Sequence, residues 1–159
     1  MSNVMIGKIF TFDSAHQLIG HKGKCANLHG HTYRLEVMLK GPVITAEDPS
    51  NEGFVIDFGD LKSIVNELIV NRLDHAFLAQ GNEPVLATLQ ATNAKVAVLG
   101  FRTTAENLAM YICHTLKQAH LPVHAVRLWE TPTAWAEVLA ADIPAEGPHY
   151  GKTGGCDLA

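Results

Sequence analysis

The chain of 159 residues carries 12 basic and 16 acidic side chains, giving a formal net charge of -4, and 47% of its residues are hydrophobic. This length predicts one domain that buries roughly 70% of the surface its unfolded chain exposes. The acidic balance lacks the positive field that a phosphate backbone requires, so we expect no nucleic-acid partner. No apolar run approaches the roughly 18 residues that cross a bilayer, and the N-terminus has no basic region followed by an apolar stretch. We therefore expect no membrane partner and a cytoplasmic protein.

The cysteines are three in number and lie far apart, at Cys25, Cys113 and Cys156. An odd, scattered set does not form a disulfide framework, so any thiol has a chemical or a packing role. The chain holds nine histidines. This ratio of histidine to cysteine directs attention to metal binding.

Two strands are predicted near the N-terminus. Residues 4–14 are rich in aromatic and β-branched side chains. Residues 31–40 alternate apolar and polar side chains, which is the period-two pattern of a half-buried strand. Glycine, proline, asparagine and aspartate recur over residues 41–53 and predict a turn-rich connection after the second strand.

Two helices are predicted next. From Leu61 the apolar residues recur at i, i+3, i+4, i+7 and i+8, which predicts an amphipathic helix ending at about Leu73. A second helix is predicted to begin at residues 103–106. There the hydroxyl of Thr103 and the carboxylate of Glu106 have the spacing of a capping box.

Two more strands close the pattern. Residues 123–130 and 134–139 have strand character and are joined by a turn at residues 131–133. The order strand, strand, helix, helix, strand, strand predicts an α+β fold. We expect a four-stranded antiparallel sheet with two helices on one face.

No linker or repeat divides the chain, so we expect a single domain over residues 1–159. Residues 76–102 form a long mixed segment that is expected to be partly helical around residues 84–90. Glycine and proline are frequent from residue 142 onward. This composition predicts an irregular C-terminal tail over residues 142–159.

Three histidines lie where one metal ion could use them. His16 ends the first predicted strand, and His29 and His31 lead into the second. Residues two apart on an extended chain project from the same face, roughly 6.6 Å apart. Three imidazoles suit Zn²⁺ and leave a fourth position open to water or substrate. The alternative is that His29 and His31 are two solvated side chains on a surface strand.

Cys25 lies four residues before His29. A nearby cation lowers the pKa of a thiol from about 8.5 and makes its thiolate available at neutral pH. The spacing alone leaves three alternatives for this residue: a fourth zinc ligand, a catalytic base or nucleophile, or an inert buried thiol.

Five segments of the chain, in this order, resemble the 6-pyruvoyltetrahydropterin synthase family, which also contains the 6-carboxytetrahydropterin synthases. The segments are residues 12–16 (FDSAH), 25–31 (CANLHGH), 73–75 (LDH), 104–107 (TAEN) and 130–131 (ET). The resemblance implies the tunnelling fold, or T-fold, with the order ββααββ. The segment after residue 75 and the tail after residue 141 are longer than in compact members of the family.

The resemblance also implies roles for individual residues. The implied zinc ligands are His16, His29 and His31. The implied catalytic residues are the thiol of Cys25 and, completing a triad across a subunit interface, Asp74 and His75. The implied substrate-binding residues are Glu130, which anchors the pterin ring, and Thr103 and Thr104, which edge its pocket.

The separation of the thiol from the histidine pair, three residues, is similar to that in the 6-carboxytetrahydropterin synthases of queuosine biosynthesis. The implied reaction is zinc-dependent conversion of 7,8-dihydroneopterin triphosphate to 6-carboxy-5,6,7,8-tetrahydropterin with release of acetaldehyde and triphosphate. The alternatives are a 6-pyruvoyltetrahydropterin synthase, which stops after triphosphate elimination, and a non-catalytic pterin- or zinc-binding module. The resemblance further implies a homo-oligomer, a hexamer made of two trimers, with active sites between subunits.

Two of these roles have simpler alternatives. Asp74 and His75 are also consistent with a solvated helix C-terminus, and they can pair with each other only where the helix has ended. Glu130 stands in an apolar strand and needs partners there. Its alternative to a pterin is an ion pair with Arg127 or Arg34.

Overall fold

Six strands form one mixed sheet in the computed structural model, which describes residues 2–45 and 49–150. The strands are β1 (Asn3–His16), β2 (His29–Pro42), β3 (Ala76–Ala79), β4 (Val96–Val98), β5 (Val123–Thr131) and β6 (Ala134–Leu139). Their order across the sheet is β4-β3-β1-β2-β5-β6. The pairs β1–β2, β2–β5 and β5–β6 are antiparallel, whereas β1–β3 and β3–β4 are parallel.

The predicted α+β class and its four antiparallel strands are confirmed, but the predicted total of four strands is wrong. Strands β3 and β4 extend the sheet beyond β1, and both come from the segment of residues 76–102. All four residues of β3 are buried. A buried parallel strand has no polar alternation, and runs of three or four residues are too short to reveal a period.

The first helical segment begins at Phe58, three residues before the apolar pattern, and ends at Leu73 as predicted. It comprises α1 (Phe58–Val65), a π-helical turn (Asn66–Val70) and α2 (Asn71–Leu73). The carboxylate of Asp57 caps α1 by accepting the backbone N–H of Gly59 at 2.6 Å. Every fourth residue from Leu61 to Leu73 is fully buried, so this stripe fixes the segment on the sheet.

Two further helices are α3 (Leu86–Ala91) and α4 (Ala105–Gln118). Helix α3 matches the partial helix expected in the middle segment. Helix α4 is capped by Thr104, whose hydroxyl accepts the backbone N–H of Asn107 at 3.4 Å. The predicted capping box of Thr103 with Glu106 is therefore wrong by one residue, because Thr103 is turned inward and buried before the helix starts.

One face of the sheet and the inward faces of α1 and α4 share a single hydrophobic core. The alternate residues of β1 project from the other face, where Met5 and Ile9 are 57% and 53% exposed. Beyond a short 3-10 turn (Ala140–Asp142), residues 143–150 are irregular, as predicted. Cys25 and Cys113 are free thiols. Cys156 and the rest of the predicted tail, residues 151–159, lie outside the described residues.

Candidate metal and catalytic site

The β1–β2 ladder brings the three histidines together. His16 and His29 are directly paired across the two strands, and His31 pairs with Ser14 two residues along. Because side chains two apart share a face, all three rings project toward the helices. Their ring centroids lie 4.6 Å (His16–His29), 5.2 Å (His16–His31) and 4.9 Å (His29–His31) apart.

The outer nitrogens of two rings fix which nitrogens face the centre. His16 Nδ1 lies 2.8 Å from the carbonyl oxygen of Thr103, and His29 Nδ1 lies 2.6 Å from that of Asn27. A carbonyl oxygen only accepts, so each Nδ1 carries the proton and donates it. Each Nε2 is then a lone-pair acceptor, and these two atoms face each other at 3.1 Å.

Among the described residues, the nitrogens at the centre of the cluster have no assigned hydrogen-bond donor. His31 Nε2 is buried and has no hydrogen-bond partner among the described residues. One ligand atom from each of His16, His29 and His31 lies within 4.8 Å of the other two. A cation between these nitrogens would satisfy their lone pairs, and nitrogens bound to one tetrahedral Zn²⁺ are expected about 3.3 Å apart. The three imidazoles therefore fit a metal ion, and their carbonyl partners are the outer contacts that usually orient histidine ligands.

Burial favours the neutral form of two of these imidazoles, His16 and His31. Burial lowers the pKa of His16 to about 4. The hydrogen bond to the Thr103 carbonyl acts in the opposite direction, and the neighbouring His29 and His31 lower this pKa further. The pKa of His31 is also lowered, mainly by burial, while the Glu130 carboxylate acts in the opposite direction. A neutral imidazole is the form that binds metal.

Cys25 lies in a short 3-10 turn (Lys24–Ala26) and is half-buried. The turn is fastened to the end of β1, because Leu18 N–H donates to the Cys25 carbonyl at 2.8 Å. Cys25 does not belong to the metal-binding group of the described residues, so the structure does not support its role as a permanent ligand. It lines a cavity of about 270 Å³ together with Thr104, Glu106 and Glu130.

Glu130 reaches the histidines and not the arginines. One of its carboxylate oxygens lies 3.8 Å from Nε2 of both His16 and His31. The proposed alternative, an ion pair with Arg34 or Arg127, is wrong, since both arginines pair with Glu36, at 2.6 Å and 3.6 Å. The Glu130 side chain is 24% exposed.

Asp74 and His75 form a pair just beyond the helix end. Asp74 has extended backbone and His75 has a φ of 55°, so the chain turns sharply after Leu73. His75 Nδ1 lies 2.9 Å from Asp74 Oδ2. The helix has therefore ended where their pairing requires it.

The backbone of Asp13 on β1 holds this pair. Asp13 N–H donates to Asp74 Oδ1 at 2.9 Å, and the N–H of His75 donates to the Asp13 carbonyl at 2.6 Å. That first bond is the main reason that the pKa of Asp74 is lowered. His75 is 76% exposed and lines a second cavity, shared with His31 and Lys95 but not with Cys25.

The structure brings together most of the residues singled out from the sequence. Cys25, Glu130 and Thr104 line one cavity, and Glu130 connects that cavity to His16 and His31. Thr103 acts through its backbone carbonyl and not at the pocket edge. Within one chain, Asp74 and His75 stand apart from the thiol.

Sequence reasoning missed two features of the site. The buried hydroxyl of Tyr33 has no hydrogen-bond partner among the described residues, and its ring lies 5.5 Å from that of His31. The period-two pattern could have identified Tyr33, because it continues the row of His29 and His31. The second feature is the pair of hydrogen bonds by which the backbone of Asp13 holds Asp74 and His75. Backbone atoms are the same in every residue type, so the sequence does not indicate these bonds.

The fold and the site define an α+β protein with three histidines that could hold one metal ion, located where the first strand ends and the second begins. The comparison with known sequences gives the family. A model of the 6-pyruvoyl tetrahydropterin synthase family matches residues 5–141. The chain belongs to this family.

Two relatives carry a more specific name. The 6-carboxy-5,6,7,8-tetrahydropterin synthase of Haemophilus influenzae is 47% identical over 137 residues, which are 83% of this chain and 96% of that protein. The 6-carboxy-5,6,7,8-tetrahydropterin synthase of Rickettsia bellii is 33% identical over 134 residues, 80% of this chain and 94% of that protein.

A solved structure agrees with the fold. The Caenorhabditis elegans 6-pyruvoyl tetrahydropterin synthase superposes with a TM-score of 0.62 at 26% identity, covering 87% of this chain and 96% of that one. In the described part of the chain, no helix has the length and apolar character needed to traverse a membrane. A cytoplasmic location stays a prediction.

Proposed function

We propose that this protein is a zinc-dependent 6-carboxytetrahydropterin synthase. It converts 7,8-dihydroneopterin triphosphate and one water molecule to 6-carboxy-5,6,7,8-tetrahydropterin, with release of acetaldehyde and triphosphate, in queuosine biosynthesis. The observation that carries the proposal is the cluster of His16, His29 and His31, whose ligand atoms lie within 4.8 Å of one another, beside a cavity lined by a thiol and a carboxylate. The names of the Haemophilus and Rickettsia relatives support the carboxy product.

The three histidines would hold Zn²⁺, which, when bound, polarises the oxygens of the substrate's side chain. Glu130 accepts the two parallel donors of the pterin's amino-pyrimidine edge and orients the ring. The Cys25 thiolate removes a proton from the three-carbon side chain. His75, held by Asp74, returns a proton during the rearrangement and the retro-aldol-type cleavage, and each such transfer contributes about a hundred- to ten-thousandfold.

The proposal includes a homo-oligomer, a hexamer of two trimers, whose subunits share active sites. Its support is the separation of Cys25 from the Asp74–His75 pair, which line different cavities of the same chain. A partner subunit would bring its own pair to the thiol. The exposed apolar residues of β1, such as Met5 and Ile9, offer a surface for such contacts.

The decisive experiment is product analysis by mass after zinc-loaded protein is incubated with 7,8-dihydroneopterin triphosphate. We expect 6-carboxy-5,6,7,8-tetrahydropterin, triphosphate and acetaldehyde. Triphosphate without acetaldehyde would instead identify a 6-pyruvoyltetrahydropterin synthase, the activity named by the family.

Cys25→Ala tests whether the thiol is catalytic. We expect unchanged zinc binding and turnover reduced at least about a hundredfold, because the proton acceptor is lost. Cys113→Ala is the matched control: Cys113 is buried in α4, and burial raises the pKa of its thiol to about 11, so its removal leaves turnover intact. Full turnover of Cys25→Ala would contradict the mechanism, and absence of turnover in the wild type would leave a binding module.

A further inference from the structure

Glu130 projects toward the metal-binding histidines because of its position in the β2–β5 ladder. Trp129 pairs with Arg34, and both side chains lie on the helix-free face of the sheet. The next residue, Glu130, therefore points to the opposite face, which carries His29, His31 and Tyr33. At the end of β5 this carboxylate lies beside Nε2 of His16 and of His31.

The contacts of this carboxylate are not hydrogen bonds. Its nearer oxygen lies 3.8 Å from Nε2 of His16 and of His31. His16 already donates its proton through Nδ1 to Thr103, so its Nε2 presents a lone pair to a carboxylate oxygen that also only accepts. An imidazole nitrogen and a carboxylate oxygen bound to the same tetrahedral Zn²⁺ are expected about 3.4 Å apart. The distances are thus those of neighbouring ligands around one cation, after a small rotation of the side chain.

Among the described residues, no lysine or arginine forms an ion pair with Glu130. Arg34 and Arg127 are both committed to Glu36, and Arg127 also bonds Glu137 at 2.8 Å. In the part of the chain that the structure describes, Glu130 is the carboxylate within 4.0 Å of the cluster's nitrogens. The Glu130 side chain is 24% exposed, so water solvates its charge only in part. A metal ion held by the three histidines would be a positive partner beside it.

We infer that Glu130 is the fourth ligand of the metal in the substrate-free protein and that it leaves the metal when a pterin binds. The inference rests on the proposed function, since it requires the three-histidine metal site. One carboxylate cannot hold the metal and the pterin edge at once. Binding of the ring would therefore withdraw Glu130 and open the coordination position for the oxygens of the same substrate.

The test uses Co²⁺ in place of Zn²⁺, because its visible absorption reports the number and type of ligands. Wild type, Glu130→Gln and Glu137→Gln are compared without substrate; Glu137 is the matched control, as a glutamate of β6 paired with Arg127. We expect Glu130→Gln to change the Co²⁺ spectrum and to weaken metal binding at least about tenfold. Glu137→Gln is expected to change neither.

The second arm adds neopterin, a pterin without the triphosphate, to the Co²⁺ proteins. We expect it to change the wild-type spectrum and to leave that of Glu130→Gln much less affected. Unchanged Co²⁺ affinity and spectrum in Glu130→Gln would overturn the inference and leave Glu130 as a pterin anchor only. Failure of the wild type to bind Co²⁺ or Zn²⁺ would instead refute the proposed function.

A measurement on the wild type alone covers the case in which Glu130→Gln does not fold. Infrared difference spectra follow the carboxylate stretching bands while metal is added and then neopterin. A band that shifts with the metal and returns with neopterin supports ligand exchange. Absence of any carboxylate shift on metal binding overturns it.

Discussion

His75 adopts a left-handed backbone conformation, with φ of 55°. This conformation costs a residue other than glycine about 1–2 kcal/mol, so the backbone at position 75 favours glycine. We expect His75→Gly to be more stable than His75→Ala by about 1 kcal/mol, while both lose most of their turnover. Urea unfolding and steady-state assays measure the two effects.

Asn93 provides the control for this prediction, because it is also left-handed, with φ of 57°. Asn93→Gly should be more stable than Asn93→Ala by a similar free energy of unfolding. Both variants should keep full turnover, since Asn93 lies outside the site. Equal stabilities of His75→Gly and His75→Ala would mean that position 75 is not strained.

His16 makes the stability of the metal-free protein depend on pH. Burial lowers its folded-state pKa to about 4 from 6.5, so the unfolded chain binds more protons between these values. The free energy of unfolding should therefore fall by roughly 3 kcal/mol as the pH drops from 6.5 to 4. Urea unfolding over this range measures it, and His16→Gln should flatten the slope. If the free energy of unfolding of the metal-free wild type did not change over this pH range, the lowered pKa of His16 would be refuted.

The histidine set could be predicted from the sequence, but its outer contacts could not. Alternation on a strand is a local rule, and it placed His29 and His31 on one face. Thr103 supplies its carbonyl from 87 residues away in the chain. A backbone acceptor can be contributed by any residue type, so only the folded chain reveals this partner.

At the level of elements, the start of α4 decides between two interpretations of its first turn. Thr104 is the cap observed, and Glu106 is not part of it. Thr104→Ala should therefore lower the free energy of unfolding by about 1 kcal/mol, whereas Thr104→Ser should retain most of it. Chemical denaturation compares these variants with Glu106→Ala, which should leave the free energy of unfolding nearly unchanged. A larger decrease for Glu106→Ala than for Thr104→Ala would instead support a capping box that includes Glu106.

The long elements were predictable because each repeats its pattern several times. Strand β2 alternates over ten residues, and the stripe from Leu61 persists through the π-helical turn to Leu73. Strands β3 and β4 have four and three residues, and they are fixed by parallel pairing with β1 and with each other. Their existence depends on distant partners, which local periodicity does not report.

At the scale of the whole molecule, shared active sites can be tested by mixing inactive variants. Cys25→Ala and His75→Ala subunits are unfolded together, refolded and assayed. If a thiol from one subunit works with the imidazole of another, about a quarter of the sites regain both groups in an equal mixture. A mixture of Cys25→Ala with the double variant Cys25→Ala, His75→Ala should stay inactive. Failure of the first mixture to recover activity would place the triad within one chain or exclude it.

Strand β1 ends in a short stretch that serves two sites at once. His16 projects to the histidine cluster, and three residues earlier the backbone of Asp13 holds Asp74 and His75. A shift of β1 by one residue against β2 would turn the imidazole outward and also displace the backbone of Asp13. If neighbouring subunits share active sites, this strand end would set the positions of groups in two adjacent sites. A displacement of β1 at one site would then also displace the groups at the next.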